Sequence, residues 1–446
     1  MQNRSVAAIL NTLPAVLPVG SHGVLRALTT DRFKSGRLSL SFLLPLSPEN
    51  ATMAPLLLSV LRRGTEKYPT VAHSNRRLAA LYGSSFRFFF SGRPSCMDVR
   101  IVTAPLDASF LPEPLDLRAG LFDLLDQILF HPLLDENGLL LASYVESEKA
   151  LQINDVRALK NDPARYAFHR ARRIFFRDTP FSFPIYGTEE TVAAVTPAAL
   201  SAYRRSLCDS LTPDCFYVGS EDPAALARDL AGLFSGVPAP APLPVGAPAC
   251  LPDRPDGPLR VDETFPAEQS HLHLFFRTET VGRCHPLYPA FAVAVELLGG
   301  SPISLLFTHV REKLSLCYSV SAEVWPDFRA VHISCDLLAA NRAVAEAAIL
   351  DQVAAVRAGR FSDAELDAAK KSFSGALDCI ADSPADLSAY WLARVRAGAV
   401  DPATGLPETP TSYAARVRSV TRADVVAALR DLSPDTVYFL QGGDEP

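Results

Sequence analysis

Apolar and polar residues alternate with a period of two at the start of residues 37–44 (RLSLSFLL), which predicts a strand. Helical periodicity follows at 51–63 and 71–82. Two more strand patterns come next, at 84–90 (SSFRFFF) and 99–104 (VRIVTA), and then two long helical ones near 117–130 and 139–160. The order is β, α, α, β, β, α, α. It recurs downstream, with a strand at 270–276 (SHLHLFF), helices at 286–298 and 302–313, strands at 316–322 (LCYSVSA) and 331–336 (VHISCD), and helices at 341–358 and 363–380. Leu40 and Leu272, Ser84 and Leu316, and Val99 and Val331 are each 232 residues apart, which points to an internal duplication.

Between the two copies, proline recurs every few residues from 236 to 258. Each proline lacks an N–H and fixes φ, so this stretch reads as an extended, semi-rigid linker. The expected division is an N-terminal half at 1–235, the linker at 236–258 and a C-terminal half at 259–446. Strands separated by helix pairs give the fold class α+β, with two homologous α/β-roll halves. Each half is expected to be a mostly antiparallel sheet with helices on one face.

Charge narrows the function classes. The chain has 446 residues with 43 Lys and Arg against 49 Asp and Glu, and 48% are hydrophobic. That is a globular composition with a net charge of −6, and no basic run exceeds a pair such as Arg62-Arg63. Neither nucleic acid nor membrane is expected as a partner. Asn11, Pro14 and Pro18 interrupt the N-terminal apolar run, so residues 1–20 read as a first strand or extended arm rather than a signal peptide. The eight cysteines form no CxxC pair, which fits buried, reduced thiols and a cytoplasmic setting. His271 and His273 share a strand face but have no third ligand nearby in sequence, and the Gly299-Gly300 pair reads as a helix C-cap and turn.

The segment from Leu56 to Pro69 (LLLSVLRRGTEKYP), followed by NRRLAALYG at 75–83, resembles the pitrilysin and insulinase family of zinc peptidases. In that family a helix bearing H-x-x-E-H leads into a Gly-Thr-x-x-Tyr-Pro turn. Counting back from Gly64-Thr65, the two histidines and the glutamate would fall on Pro55, Leu58 and Ser59. Two histidines four apart share a helix face and bind zinc together, while the glutamate between them serves as general base. Pro55 and Leu58 offer no donor atom, and a serine hydroxyl is a poor ligand. Pro55 itself suggests the first turn of a helix capped by Thr52 or Asn50. The family's later acidic ligand would match Asp155 in the stretch that begins Glu148-Lys149, although by its residue type Asp155 reads as a solvated helix acid.

In the C-terminal half, the stretch from Glu296 to Val320 resembles the second signature of the same family, a helix ending in Arg-Glu-Lys and a strand beginning Leu-x-Tyr. The resemblance implies that Arg311 and Tyr318 hold substrate and steady a developing oxyanion. Their plainer readings are a helix-end cation and a half-buried strand aromatic. Taken whole, the pattern is similar to the zinc-free subunit of two-chain members, and most similar to the bacterial elongation factor P modification-associated or peptide-maturation type. It implies a clamshell of two halves, no cofactor of its own, and zinc only in a homologous catalytic partner that carries H-x-x-E-H. It also implies a peptide substrate and leaves a homodimer open for the isolated chain. The alternative is a structural or peptide-holding module with no catalytic role. Hydrolysis by some other group of this chain has no nucleophile and base signature behind it.

Overall fold

The alternation at 37–44 becomes the strand Arg37–Pro45, and Leu38, Leu40, Phe42 and Leu44 turn into one apolar core. The computed structural model describes residues 6–21, 23–93, 96–113, 115–208, 211–238, 251 and 257–443. Most of the proline-rich linker at 236–258 therefore lies outside the described residues.

The chain forms two compact units that interleave along the sequence. The first comprises residues 1–157, 183–245 and 381–392, and the second comprises 158–182, 246–380 and 393–446. The first unit holds β1 (Ala15–Val19), β2 (Gly23–Thr29), β3 (Arg37–Pro45), β4 (Phe86–Gly92), β5 (Cys96–Thr103) and β6 (Asp214–Gly219), in the sheet order β1-β2-β6-β3-β5-β4. The second holds β7 (Leu259–Pro266), β8 (Ser270–Arg277), β9 (Cys317–Trp325), β10 (Ala330–Leu337) and β11 (Ser433–Gly443), in the order β7-β11-β8-β10-β9.

Without β1, the two orders correspond strand for strand. β2 runs parallel to β6 as β7 runs parallel to β11, and every other pairing is antiparallel. The fold is thus α+β in two homologous, mostly antiparallel halves.

The second sheet adds a feature to that plan. β8 is buried at all eight positions. The helix Pro163–Phe175 lies against it, and Phe175 stacks on Phe275 at 4.6 Å between centroids. Gly299 approaches the strand β9 so closely that a Cβ there would lie 2.6 Å from the amide nitrogen of Ala322. At the N-terminus, the expected strand is Ala15–Val19, but a short helix, Val6–Asn11, precedes it where an extended arm was expected. The apolar residues Ile9 and Leu10 are buried there, which favours a helical turn over a solvated arm.

Candidate functional site

The helix that carries the altered motif runs Pro48–Leu61 and begins one turn earlier than the sequence suggested. Ser47 is its N-cap, and its side chain accepts from the Asn50 N–H at 3.1 Å. Proline occupies the first helical position, which suits its fixed φ. Pro55 consequently lies inside the helix, not in its first turn as expected from Thr52 or Asn50 capping. An interior proline leaves the carbonyl four residues earlier without its helical donor. Here that carbonyl belongs to Ala51, and the Tyr186 N–H donates to it at 3.0 Å.

Gln152 completes the repair. Its side-chain amide donates to the Tyr186 carbonyl at 2.8 Å and to the Thr52 carbonyl at 3.3 Å. Gln152 is buried, and it lies on the helix Ala142–Ala158, which also carries Glu148 and Asp155. Gly187 brings the chain close enough that a Cβ would meet Thr52 Oγ1 at 2.7 Å, and its φ of +74° favours glycine as well. Sequence reasoning did not find Gln152 or Tyr186. The available signal was the proline, which demanded a donor from elsewhere.

The donor set does not suit zinc. Pro55 and Leu58 are buried and offer no lone pair, Ser59 is half-buried, and Asp155 is exposed. Among the described residues no group of three or more His, Cys, Asp or Glu side chains could hold a metal ion.

Ser59 instead lines a cavity of about 230 Å³ with Arg62, Arg63, Ser74, Asn75 and Glu148. Arg63 pairs with Glu148 at 2.7 Å, donates to Ser147 Oγ at 2.9 Å, and lies over the Tyr144 ring at 5.2 Å. Arg62 lies over the Phe88 ring at 5.0 Å.

Arg311 and Tyr318 are brought together in the second unit. The segment Phe307–Lys313 is a π-helix, in which the Leu314 N–H reaches back to the His309 carbonyl at 3.1 Å. Ser315 then takes a left-handed backbone, with φ 52°, and turns the chain into β9. Across that turn Arg311 Nε donates to the Tyr318 carbonyl at 2.8 Å, and its guanidinium lies 4.5 Å from the Phe307 ring centroid. One edge and one face of the cation are thus fixed. Both side chains are exposed, and β9 is an edge strand. Gly299 lies in a π-helical stretch, Glu296–Gly300, not in the simple cap expected, because backbone of β9 fills the space a side chain would need.

His271 and His273 face a polar network. His271 Nδ1 lies 2.7 Å from Asp336 Oδ1, and the Ser319 hydroxyl donates to Asp336 Oδ2 at 2.5 Å. His273 Nδ1 lies 2.9 Å from His332 Nε2, whose Nδ1 is 2.8 Å from Glu323. Burial, reinforced by His332, holds the His273 pKa well below the ordinary imidazole value. Burial pushes the Asp336 carboxyl up, but the hydrogen bonds from His271 and Ser319 outweigh it and leave the pKa lowered. Among the seven cysteines in the described residues, Cys284 and Cys379 are exposed where buried thiols were expected.

Residues 194–373 match the family described as the peptidase M16 inactive domain. The probable inactive metalloprotease YmfF of Bacillus subtilis is 25% identical over 426 residues, covering 94% of this chain and 96% of that protein. Among solved structures, a conserved protein from Enterococcus faecalis superposes with a TM-score of 0.84 at 22% identity, covering 98% of this chain and all of the other. The peptidase M16 inactive domain from Pseudomonas fluorescens gives 0.76 at 17% identity, over 97% of this chain and all of that one. These two share the fold. Residues 194–373 are thus similar to a peptidase M16 inactive domain, and nearly the whole chain is similar to a probable inactive metalloprotease, in line with the resemblance to a non-catalytic pitrilysin-type chain.

Proposed function

We propose that this chain is the zinc-free, substrate-binding subunit of a two-chain zinc peptidase that processes peptides. The observation that carries the reading is a contrast between two segments. Pro55 and Leu58 are buried and donorless where a ligand and the general base would be needed, while Arg311 and Tyr318 stand exposed.

In such a pair the partner, a homologous chain with intact H-x-x-E-H, supplies the metal and the activated water. Arg311 offers the terminal N–H groups that Nε's bond to the Tyr318 carbonyl leaves available, and Tyr318 offers its hydroxyl. In this reading both donate to a peptide carbonyl oxygen that gains charge, the role of oxyanion donors. The peptide lies as an added strand on a sheet edge, where unpaired backbone groups give affinity without sequence demands. We place the complex in a bacterial cytoplasm. Among the described residues no helix is long and apolar enough to cross a membrane.

The test is reconstitution. The chain is purified alone and assayed for peptide cleavage, then mixed with the zinc-bearing chain that co-purifies with it. Activity that appears only in the mixture supports the proposal. Stable association with no gain over the zinc-bearing chain alone favours the second reading, a structural or peptide-holding module.

A further inference from the structure

We infer that the cavity beside Ser59 binds a carboxylate, taken from an acidic side chain or from the C-terminal end of a held peptide. This deepens the peptide-binding reading and rests on it. The cavity holds about 230 Å³, below the roughly 300 Å³ at which pockets for whole small molecules begin, so it suits one side chain or one chain end.

Its charge selects the ligand. Three ionised side chains line it, Arg62, Arg63 and Glu148, and the carboxylate is already taken by Arg63 at 2.7 Å. Arg62 forms no ion pair among the described residues, so its charge is the one left over. The Phe88 ring supports one face of its guanidinium, and a planar fork held by its face keeps its N–H edge available for two parallel bonds to a carboxylate. Ser74 adds to the polarity of the wall. It is 8% exposed, and its hydroxyl has no hydrogen-bond partner. A cation would meet a net positive wall, and an apolar group, although it would pack on Val71, Leu78, Phe86, Leu124 and Ile128, would leave the Arg62 charge without a counter-ion.

The experiment is calorimetric titration of the full chain with four probes. They are a capped alanine peptide ending in carboxylate, the same peptide ending in amide, an amide-ended version with one internal glutamate, and N-acetylglutamate. Expected is binding of both acidic peptides about tenfold tighter than the neutral one, with the better of the two showing which carboxylate fits. Arg62→Gln should remove that preference and Arg62→Lys should restore part of it. Glu148→Gln, by releasing Arg63, should tighten binding of the acidic peptides. That gain is a result a merely structural role for Glu148 would not give. Equal binding of neutral and acidic peptides would overturn the carboxylate site and leave peptide holding intact. Binding of N-acetylglutamate with no binding of any peptide would support the pocket and defeat the peptide reading. No binding of any probe would overturn both.

Discussion

The backbone N–H of Tyr186 donates to the carbonyl of Ala51 at 3.0 Å, taking the acceptor that Pro55 leaves open within its helix. Pro55, which offers no donor atom at a position the family resemblance gives to a zinc ligand, thus also provides a docking point for the segment near residue 186.

Gln152 closes that arrangement, so Gln152→Ala should cost more than a surface substitution. Two hydrogen bonds to backbone carbonyls, one buried and one part-buried, are lost at about 1 kcal/mol each net, and denaturant unfolding should show a loss of about 1–3 kcal/mol. By the same reasoning Pro55→Ala should recover much less than the roughly 3 kcal/mol usual for an interior proline, because Tyr186 already satisfies Ala51. An unchanged midpoint for Gln152→Ala would contradict the account.

Rebuilding the motif should fail unevenly. Leu58 is 4% exposed, so Leu58→Glu buries a carboxylate and should destabilise the chain by about 2 kcal/mol or more. Ser59→His, at the half-buried cavity wall, should be tolerated. Purified wild-type chain should hold less than one zinc per molecule by metal analysis, and stoichiometric zinc would refute the reading of the altered ligands.

Arg311→Ala and Tyr318→Phe should each lower turnover by the reconstituted two-chain enzyme by about 10²-fold. Both residues are exposed, so the unfolding midpoint of the isolated chain should shift by less than about 0.5 kcal/mol. Full turnover in the double variant would remove both residues from the site.

Acid should weaken the fold earlier than carboxylate protonation explains. His273 and His169 have pKa values lowered by burial, so below about pH 6.5 the unfolded chain binds protons that the folded chain does not. Stability therefore falls as pH drops through that range. Asp336, also lowered, supports the fold until below about pH 4, so it acts in a separate window. Thermal midpoints at about pH 7 and about pH 5 should show the loss, and His273→Phe should flatten it. A midpoint that rises on acidification would contradict the assignment.

Periodicity fixes local form well, because burial of one face imposes it residue by residue. The strands at 37–44, 270–276 and 331–336 and the helices at 117–130 and 341–358 all stand within a residue or two of the predicted bounds. The repeated strand order was legible for the same reason, since the same alternations recur 232 residues later. The strands Gly23–Thr29, Asp214–Gly219, Leu259–Pro266 and Ser433–Gly443 were not predicted. Pro55 and Gly299 departed from their expected local form. At each, a distant segment, Tyr186 in one case and β9 in the other, compensates for what local rules forbid.

The sequence by itself determined the repeated order of elements, the absence of donor atoms at Pro55 and Leu58, and the placing of Arg311 seven residues before Tyr318. Those are matters of which side chain stands where, and chemistry reads them directly. Only the tertiary structure decided that residues 158–182 join the second unit, that Gln152 fills in around the broken motif, and that Arg62 faces a cavity with its charge unspent. These depend on contacts between residues far apart in the chain, and a pattern with a period of two or 3.6 residues carries no record of them.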